Sequence, residues 1–373
     1  MKKKMHIDLG LLFIVVFLMG FGLVMVFSAS SYESSVKFND PTYYLRSQFF
    51  ATIAGFVVMI FFTCVDYHAW EKFAVPAYLG SLGLVALVVT SIGITRNGAR
   101  RWLNIGGISL QPAEVAKVGV ILFFAAYICK MGSKISTRRG FYFSMILAAL
   151  PSLFVVIITR NLSSAIILFG IPFVMLFTAS RDSWRYVFWS IIGIGIGALV
   201  VYLVASDILP ASMSFRMARI KAWLHPEAYA SGKGYQTLQA LYSIGAGGIT
   251  GKGLGQSTQK LGFVPEAQND MIFSIICEEL GLCGGVAVML MFLILIYKFE
   301  FVAVHAPDEF GSLIVTGVMG HIALQVILNV AVVTNTIPNT GITLPFISFG
   351  GSSVLFLLAE IGMVLNVSRM IHE

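Results

Sequence analysis

The sequence predicts an all-α polytopic membrane protein: ten transmembrane helices with a large extracytoplasmic loop between the seventh and eighth. Three observations carry that expectation. Only 12% of the 373 residues are charged and 57% are hydrophobic, where a soluble globular domain carries roughly 25% charged residues. Apolar runs of about 20 residues, enough to cross a hydrocarbon core of about 30 Å, recur along the chain. The Gly-rich stretch from about 206 to 270 contains no such run. A soluble enzyme is excluded, and residues 1–373 read as a single membrane domain. The net charge of +7 has no basic tract behind it beyond Lys2 to Lys4, which argues against a nucleic-acid partner.

The ten runs lie near 9–29, 46–64, 74–93, 112–130, 141–159, 162–179, 187–205, 271–297, 312–334 and 345–367, bounded by charged residues, Gly or Pro. The first follows three lysines, but it is long enough to span and has no small-residue cleavage site, so it is expected to stay as a permanent helix. An even number of spans puts both termini on one side. With cytoplasmic termini, the inner segments hold twelve Lys and Arg residues against six in the short outer loops. The positive-inside rule therefore predicts both termini in the cytoplasm of a multi-pass protein of the cytoplasmic membrane. The long loop adds six more basic residues outside, but translocated segments of that length escape the rule. Cys64, Cys129, Cys277 and Cys283 sit in or beside apolar runs without metal-ligand or disulfide spacing, and read as packing or lipid-facing residues.

Polar chemistry gathers in two outer segments. In the first, Thr95 to Glu114, the residues Arg96, Arg100 and Arg101 lie on the side that normally carries few cations. Guanidinium forks suit a diphosphate, and lipid headgroups are the competing partner. Trp102 beside them reads equally as an interfacial anchor. The helix that follows opens with Pro112, and Glu114 and Lys117 share one face. A lone charge in a bilayer costs at least about 2.5 kcal/mol, so the two are expected to pair, either as a structural ion pair or as the floor of a polar cavity. In the second segment the glycines of 232–255 lack a phosphate-loop ending and are expected to let backbone approach backbone or a ligand. Glu266 and Asp270 stand at the mouth of the eighth span with Glu278 and Glu279 inside it. Such carboxylates suit a general base, a metal ligand or simple helix N-terminal acids. His321, Gln325 and Asn329 form one polar stripe, read as interhelical hydrogen bonding. The run Leu344 to Ser353, with Pro345 and the pair Gly350-Gly351, permits a broken helix start with hydroxyls turned into the bundle. Glu360 has no evident partner.

Taken in order, Gly98-Ala-Arg-Arg-Trp102, Gln111-Pro-Ala-Glu-Val-Ala-Lys117, Pro265-Glu-Ala-Gln-Asn-Asp-Met-Ile-Phe273, Glu278-Glu-Leu-Gly281 and Leu344-Pro-Phe-Ile-Ser-Phe-Gly-Gly-Ser-Ser353 resemble the SEDS family of bacterial proteins, FtsW, RodA and SpoVE. The resemblance covers essentially the whole chain. The stretch Gly251 to Lys260 lacks a short Gln-rich segment associated with RodA, favouring the FtsW/SpoVE branch. What the resemblance implies is a peptidoglycan glycosyltransferase that polymerises lipid II at the outer membrane face. It implies a single-span class B penicillin-binding transpeptidase as partner, within a division or related wall-synthesis complex. By the same resemblance Asp270 matches the essential outer-loop aspartate and is the candidate base. Trp102, the pair Glu114 and Lys117, and the arginines Arg216 and Arg219 match further motif positions. With Arg100, Arg101, Ser348 and Ser352 these make up the substrate-binding candidates, and a divalent cation, Mg²⁺ or Mn²⁺, is expected to share the countercharge.

One departure stands out. Where the family reads Pro-Glu-Ala-His-Thr-Asp-Phe, this chain has Gln268, Asn269 and Met271 in the His, Thr and Phe places. General-base chemistry at Asp270 survives that change, whereas a step using the His as proton carrier does not. A lipid-linked precursor flippase and a catalytically silent scaffold remain competing classes. A flippase calls for polar groups at the bilayer midplane, and a scaffold draws only on the altered His and Thr.

Overall fold

The structure, a computed structural model, describes residues 7–96, 99–106, 108–206, 208–209, 215–232 and 234–371. In chain order the helices are α1 (Leu9–Phe38), α2 (Tyr43–Cys64), α3 (His68–Glu71), α4 (Ala74–Leu87), α5 (Pro112–Met131), α6 (Arg138–Phe154), α7 (Leu162–Ala179) and α8 (Trp184–Ala205). They continue as α9 (Phe215–Leu224), α10 (Tyr235–Gly247), α11 (Ile272–Val304), α12 (Glu309–Val333) and α13 (Gly351–Met370). Among the described residues, nine helical segments are long and apolar enough to cross a membrane.

The run expected near 74–93 folds differently. Only Ala74–Leu87 is helical, 14 residues, or about 21 Å, which falls short of a bilayer core on its own. Past it the chain turns and enters a three-stranded antiparallel sheet of β1 (Gly93–Arg96), β2 (Ala99–Ile105) and β3 (Ile108–Leu110). The reason lies in alternation along β2. Leu103 is fully buried while its neighbours Trp102 and Asn104 are not, so one face of the strand packs inward and the other looks out. Charges at Arg100 and Arg101 made this stretch read as a loop.

The spans centre on α5, α12 and α13. α12 packs on α5, α7, α11 and α13, and α13 lies along α2. Close approach needs glycine at a few crossings. A Cβ on Gly362 would stand 2.4 Å from the Met59 carbonyl oxygen of α2, and one on Gly22 would stand 2.5 Å from that of Phe346. The fifth and sixth spans, divided in sequence only by Arg160 and Asn161, are separated by a π turn over Val155–Thr159 and a left-handed Arg160. Asn161 then caps α7 by accepting from the Ser164 amide. α8 stands apart, with only Tyr186 and Val204 buried along its length.

Candidate functional site

Between α8 and α11 the chain builds α9 and α10, then a turn-rich segment ending at Asp270. Of the glycines there, Gly234, Gly247 and Gly251 let backbone approach backbone as expected, whereas Gly245, Gly248 and Gly255 face open space. A Cβ on Gly247, Gly251 or Gly281 would fall 1.9 to 2.3 Å from a carbonyl oxygen of the facing strand of chain. Gly281 interrupts α11 with φ 71° and ψ −171°, and the freed groups are satisfied by the loop. Leu282 and Cys283 amides donate to Gly248 and Ile249, while Lys252 and Gly253 amides donate to Glu278 and Glu279. The carboxylates of Glu278 and Glu279 finish the anchoring. Glu278 accepts from Lys252 Nζ at 2.7 Å, Ser243 Oγ at 3.0 Å and the Thr258 amide at 3.1 Å, and Glu279 accepts from Ser28 Oγ at 2.6 Å and Lys260 Nζ at 2.8 Å. These two acids fasten the loop and are not available as base or metal ligand.

Asp270 stands outside that anchoring. Its Oδ1 accepts from Gln236 Nε2 of α10 at 3.3 Å. Gln236 in turn accepts from Asn339 Nδ2 at 2.9 Å, and Arg219 of α9 donates to the Asn339 carbonyl at 3.2 Å. A Cβ on Gly341 would sit 3.7 Å from Oδ2, in ordinary contact. The Asp270 backbone carbonyl accepts from Asn329 Nδ2 at 2.8 Å, and the same amide group reaches the Ile342 carbonyl at 2.7 Å. Desolvation, reinforced by the neighbouring Glu266, raises the Asp270 carboxyl to about 7, against the opposing pull of Arg219 and Gln236. Gln236, Asn339 and Gly341 carried no sequence signal and emerge only from the fold.

Arg101 belongs to this cluster. It shares the inward face of β2 with Leu103, donates to the Thr159 carbonyl at 3.3 Å, and feels the charge of Arg219, which adds to burial in lowering its affinity for a proton. Arg100 does not belong to it. One residue along a strand, it faces the opposite way and binds the Gly93 carbonyl at 3.2 Å and that of Thr90. Trp102 shares that second face and pairs with Ile94 across the sheet. Arg216 lies in the first turn of α9, but its side chain falls outside the described residues. Ser348 donates to the Asn269 carbonyl at 2.6 Å and accepts from the Leu344 amide at 2.8 Å, so its hydroxyl ties the α12–α13 segment to the acidic turn. Gln268, in the place of the family His, presents its carbonyl to the Phe349 amide at 2.9 Å. Ser352 is partly exposed in the first turn of α13.

Glu114 and Lys117 pair at 2.8 Å and are buried. Lys117 Nζ also lies 3.1 Å from His321 Nε2 and 3.3 Å from Gln325 Oε1. His321 Nδ1 meets Glu360 at 2.7 Å, which supplies the partner missing from the sequence. Gln325 donates to the Thr343 carbonyl at 3.0 Å. The polar stripe of α12 thus joins helices, as its spacing predicted, and reaches the segment bearing Asn339 and Gly341.

Fold and site define a polytopic integral membrane protein whose desolvated aspartate, with the charge of Arg219 acting on it, stands at one end of the bundle. The family model described as "Cell cycle protein", FtsW/RodA/SpoVE, matches residues 9–373, and the chain belongs to this family. It is 38% identical over 371 residues to stage V sporulation protein E of Bacillus subtilis (strain 168), covering 98% of each chain. It is 37% identical to the probable peptidoglycan glycosyltransferase FtsW of Geobacter sp. (strain M18), covering 99% of this chain and 98% of that one. Among solved structures it resembles a chain of a peptidoglycan synthase complex that coordinates polymerization and crosslinking, with TM-score 0.80, 28% identity and coverage of 98% and 99%. Thermus thermophilus RodA matches with TM-score 0.70, 26% identity and 98% of both chains.

Proposed function

We propose that this protein is a peptidoglycan glycosyltransferase that polymerises lipid II at the outer face of the bacterial cytoplasmic membrane. The observation that carries this reading is Asp270, a carboxylate held near neutrality beside Arg219 in a family whose relatives bear that activity in their names. A base works best when its pKa lies near the operating pH. In the reaction the acceptor sugar's 4-hydroxyl gives its proton to Asp270 as its oxygen bonds to the donor's anomeric carbon. The bond from that carbon to the lipid diphosphate breaks, and the polyprenyl diphosphate leaves with the electron pair. Arg101 and Arg219 supply countercharge to the diphosphate, with Arg216 as a further contributor. The mostly unburied flank of α8 offers apolar surface for the polyprenyl tail.

A divalent cation fits this site only in part. Among the described residues no three His, Cys, Asp or Glu side chains gather as a metal cage. Asp270 and Glu266 would hold such an ion jointly with the diphosphate, whose charge it would help neutralise. We place both termini in the cytoplasm and count ten crossings, with α4 and the turn after it completing the third. The partner is a class B penicillin-binding transpeptidase within a wall-synthesis complex, a reading supported by the likeness to a synthase that couples polymerization to crosslinking. One observation favours a flippase as the second reading: His321 sits halfway along α12, paired with Glu360, where transporters keep ionisable groups.

The test is purified protein, alone and with its transpeptidase, incubated with labelled lipid II and Mg²⁺ or Mn²⁺. The parent should make glycan strands, and Asp270→Asn should make none while still inserting in membranes. Normal synthesis by that variant removes Asp270 from the mechanism. Lipid II movement across vesicles without polymer favours the flippase.

A further inference from the structure

We propose that the end of the bundle opposite Asp270 carries a binding site for the headgroup of an anionic phospholipid, in two recesses on either side of Tyr142. The placement follows from α5, which starts after the sheet that bears Arg101 and runs 20 residues, about 30 Å, to Met131. α6 begins at that far end. One recess, about 330 Å³, is lined by Arg138, Arg185, Tyr142, Trp184, Phe188 and Trp189, together with Phe141. The other, about 560 Å³, has Lys134 and Arg139 with Tyr142, Phe143 and Met131 among its walls. Neither has an acidic lining residue.

Three features distinguish these recesses from a plain positive-inside surface. Arg185 is held in place by Asp182 at 2.9 Å and the Ser136 carbonyl at 3.2 Å, so one guanidinium is preorganised. Lys134, Arg138 and Arg139, by contrast, show no side-chain hydrogen bond or ion pair among the described residues, and all three are exposed. Their charge is unspent within the chain. The walls then continue as apolar surface. Trp184 is 69% exposed and Phe143 53%, and the outward residues Ile146 of α6 and Ile191 of α8 extend that surface along the helices. A ligand that matches cations at the rim and bare apolar surface beyond is an amphiphile with a phosphodiester head, and basic recesses between spans are where such heads bind. The aromatic side chains suit the interface where head meets chains.

Native mass spectrometry of the full detergent-purified chain, titrated with phosphatidylglycerol or phosphatidylethanolamine of matched acyl chains, tests this. The parent should retain phosphatidylglycerol selectively. Arg138→Gln with Arg139→Gln should weaken that binding about 25-fold, fivefold for each cation removed. Lys37→Gln, an exposed cation in the last turn of α1 paired with Glu33, should leave it unchanged. A second measurement needs no charge variant: brominated phosphatidylglycerol should quench tryptophan fluorescence more than brominated phosphatidylethanolamine, and Trp184→Phe with Trp189→Phe should abolish the difference. Equal retention of the two lipids, or undiminished selectivity in the double Gln variant, overturns the proposal. Displacement by excess inorganic phosphate also overturns it, since the site would then recognise a free anion.

Discussion

As the base proposed above, Asp270 would make the reaction pH-dependent in a way an ordinary aspartate would not. With its carboxyl at about 7, the free protein should lose kcat/KM as pH falls through 7, because the protonated acid cannot accept the sugar proton. The neighbours give opposite signs. Glu266→Gln removes a like charge and should move the acid limb down, whereas Arg219→Gln removes the countercharge and should move it up. Shifts in one direction for both variants would mean that Asp270 is not the titrating group. The same raised carboxyl costs stability once ionised. Its folded value lies above the ordinary 3.8, so the native state holds the extra proton, and stability present at low pH is lost as pH rises through 7. Asp270→Asn should therefore be more heat-stable than the parent at pH 8, by about 1–2 kcal/mol after allowance for partial access to water. The arginines separate as well. Arg101→Gln should raise the lipid II concentration needed for half-maximal synthesis several-fold, and Arg100→Gln, facing away, should change it little. Equal effects would show that the two faces of β2 both meet substrate.

At the scale of elements, the sequence was most legible where periodicity was long. The helix over 162–179 matches Leu162–Ala179, and the spacing of His321, Gln325 and Asn329 gave the stripe that bonds across α12. It was least legible where two signals competed. The apolar run 74–93 masks a helix that ends at Leu87, because the β-branched Val88, Val89 and Ile92 are as apolar as a helix while favouring other backbone. Glu360 could not be assigned because its partner His321 is 39 residues away. The pairing of Glu114 with Lys117 was legible from an i, i+3 spacing, and its energetics follow. Glu114→Gln and Lys117→Met should each destabilise by about 3–5 kcal/mol by stranding a buried charge, and the double variant by less than their sum. Additivity, measured as denaturation midpoints of the four proteins, would show the pair uncoupled.

Across the whole molecule, the site needs residues from α9, α10, the turn before α11, α12 and the segment before α13. No window of sequence contains that set, and for this reason Gln236, Asn339 and Gly341 were invisible while the motif residue Asp270 was not. The sidedness of the molecule is open to a direct measurement. Single cysteines introduced at Leu254 and Lys134 in an otherwise cysteine-free chain should react differently with an impermeant reagent added to intact cells, the first labelled and the second protected. Labelling of Lys134→Cys alone would invert the membrane orientation and place Asp270 in the cytoplasm.

The break at Gly281 also sets how much of the chain the bilayer must accommodate. As one straight rod, the 33 residues of α11 would reach about 50 Å, some 20 Å beyond the hydrocarbon thickness. Divided at Gly281, the part from Leu282 to Val304 measures about 35 Å, which a modest tilt absorbs. The break thus relieves a hydrophobic mismatch that would otherwise tilt the helix steeply or thicken the surrounding lipid. Gly281→Ala, with a Cβ 2.3 Å from the Ile249 oxygen, cannot keep the turn. Straightening of α11 should then make the variant's membrane retention depend on acyl-chain length, improving in bilayers of longer lipids where the parent is indifferent.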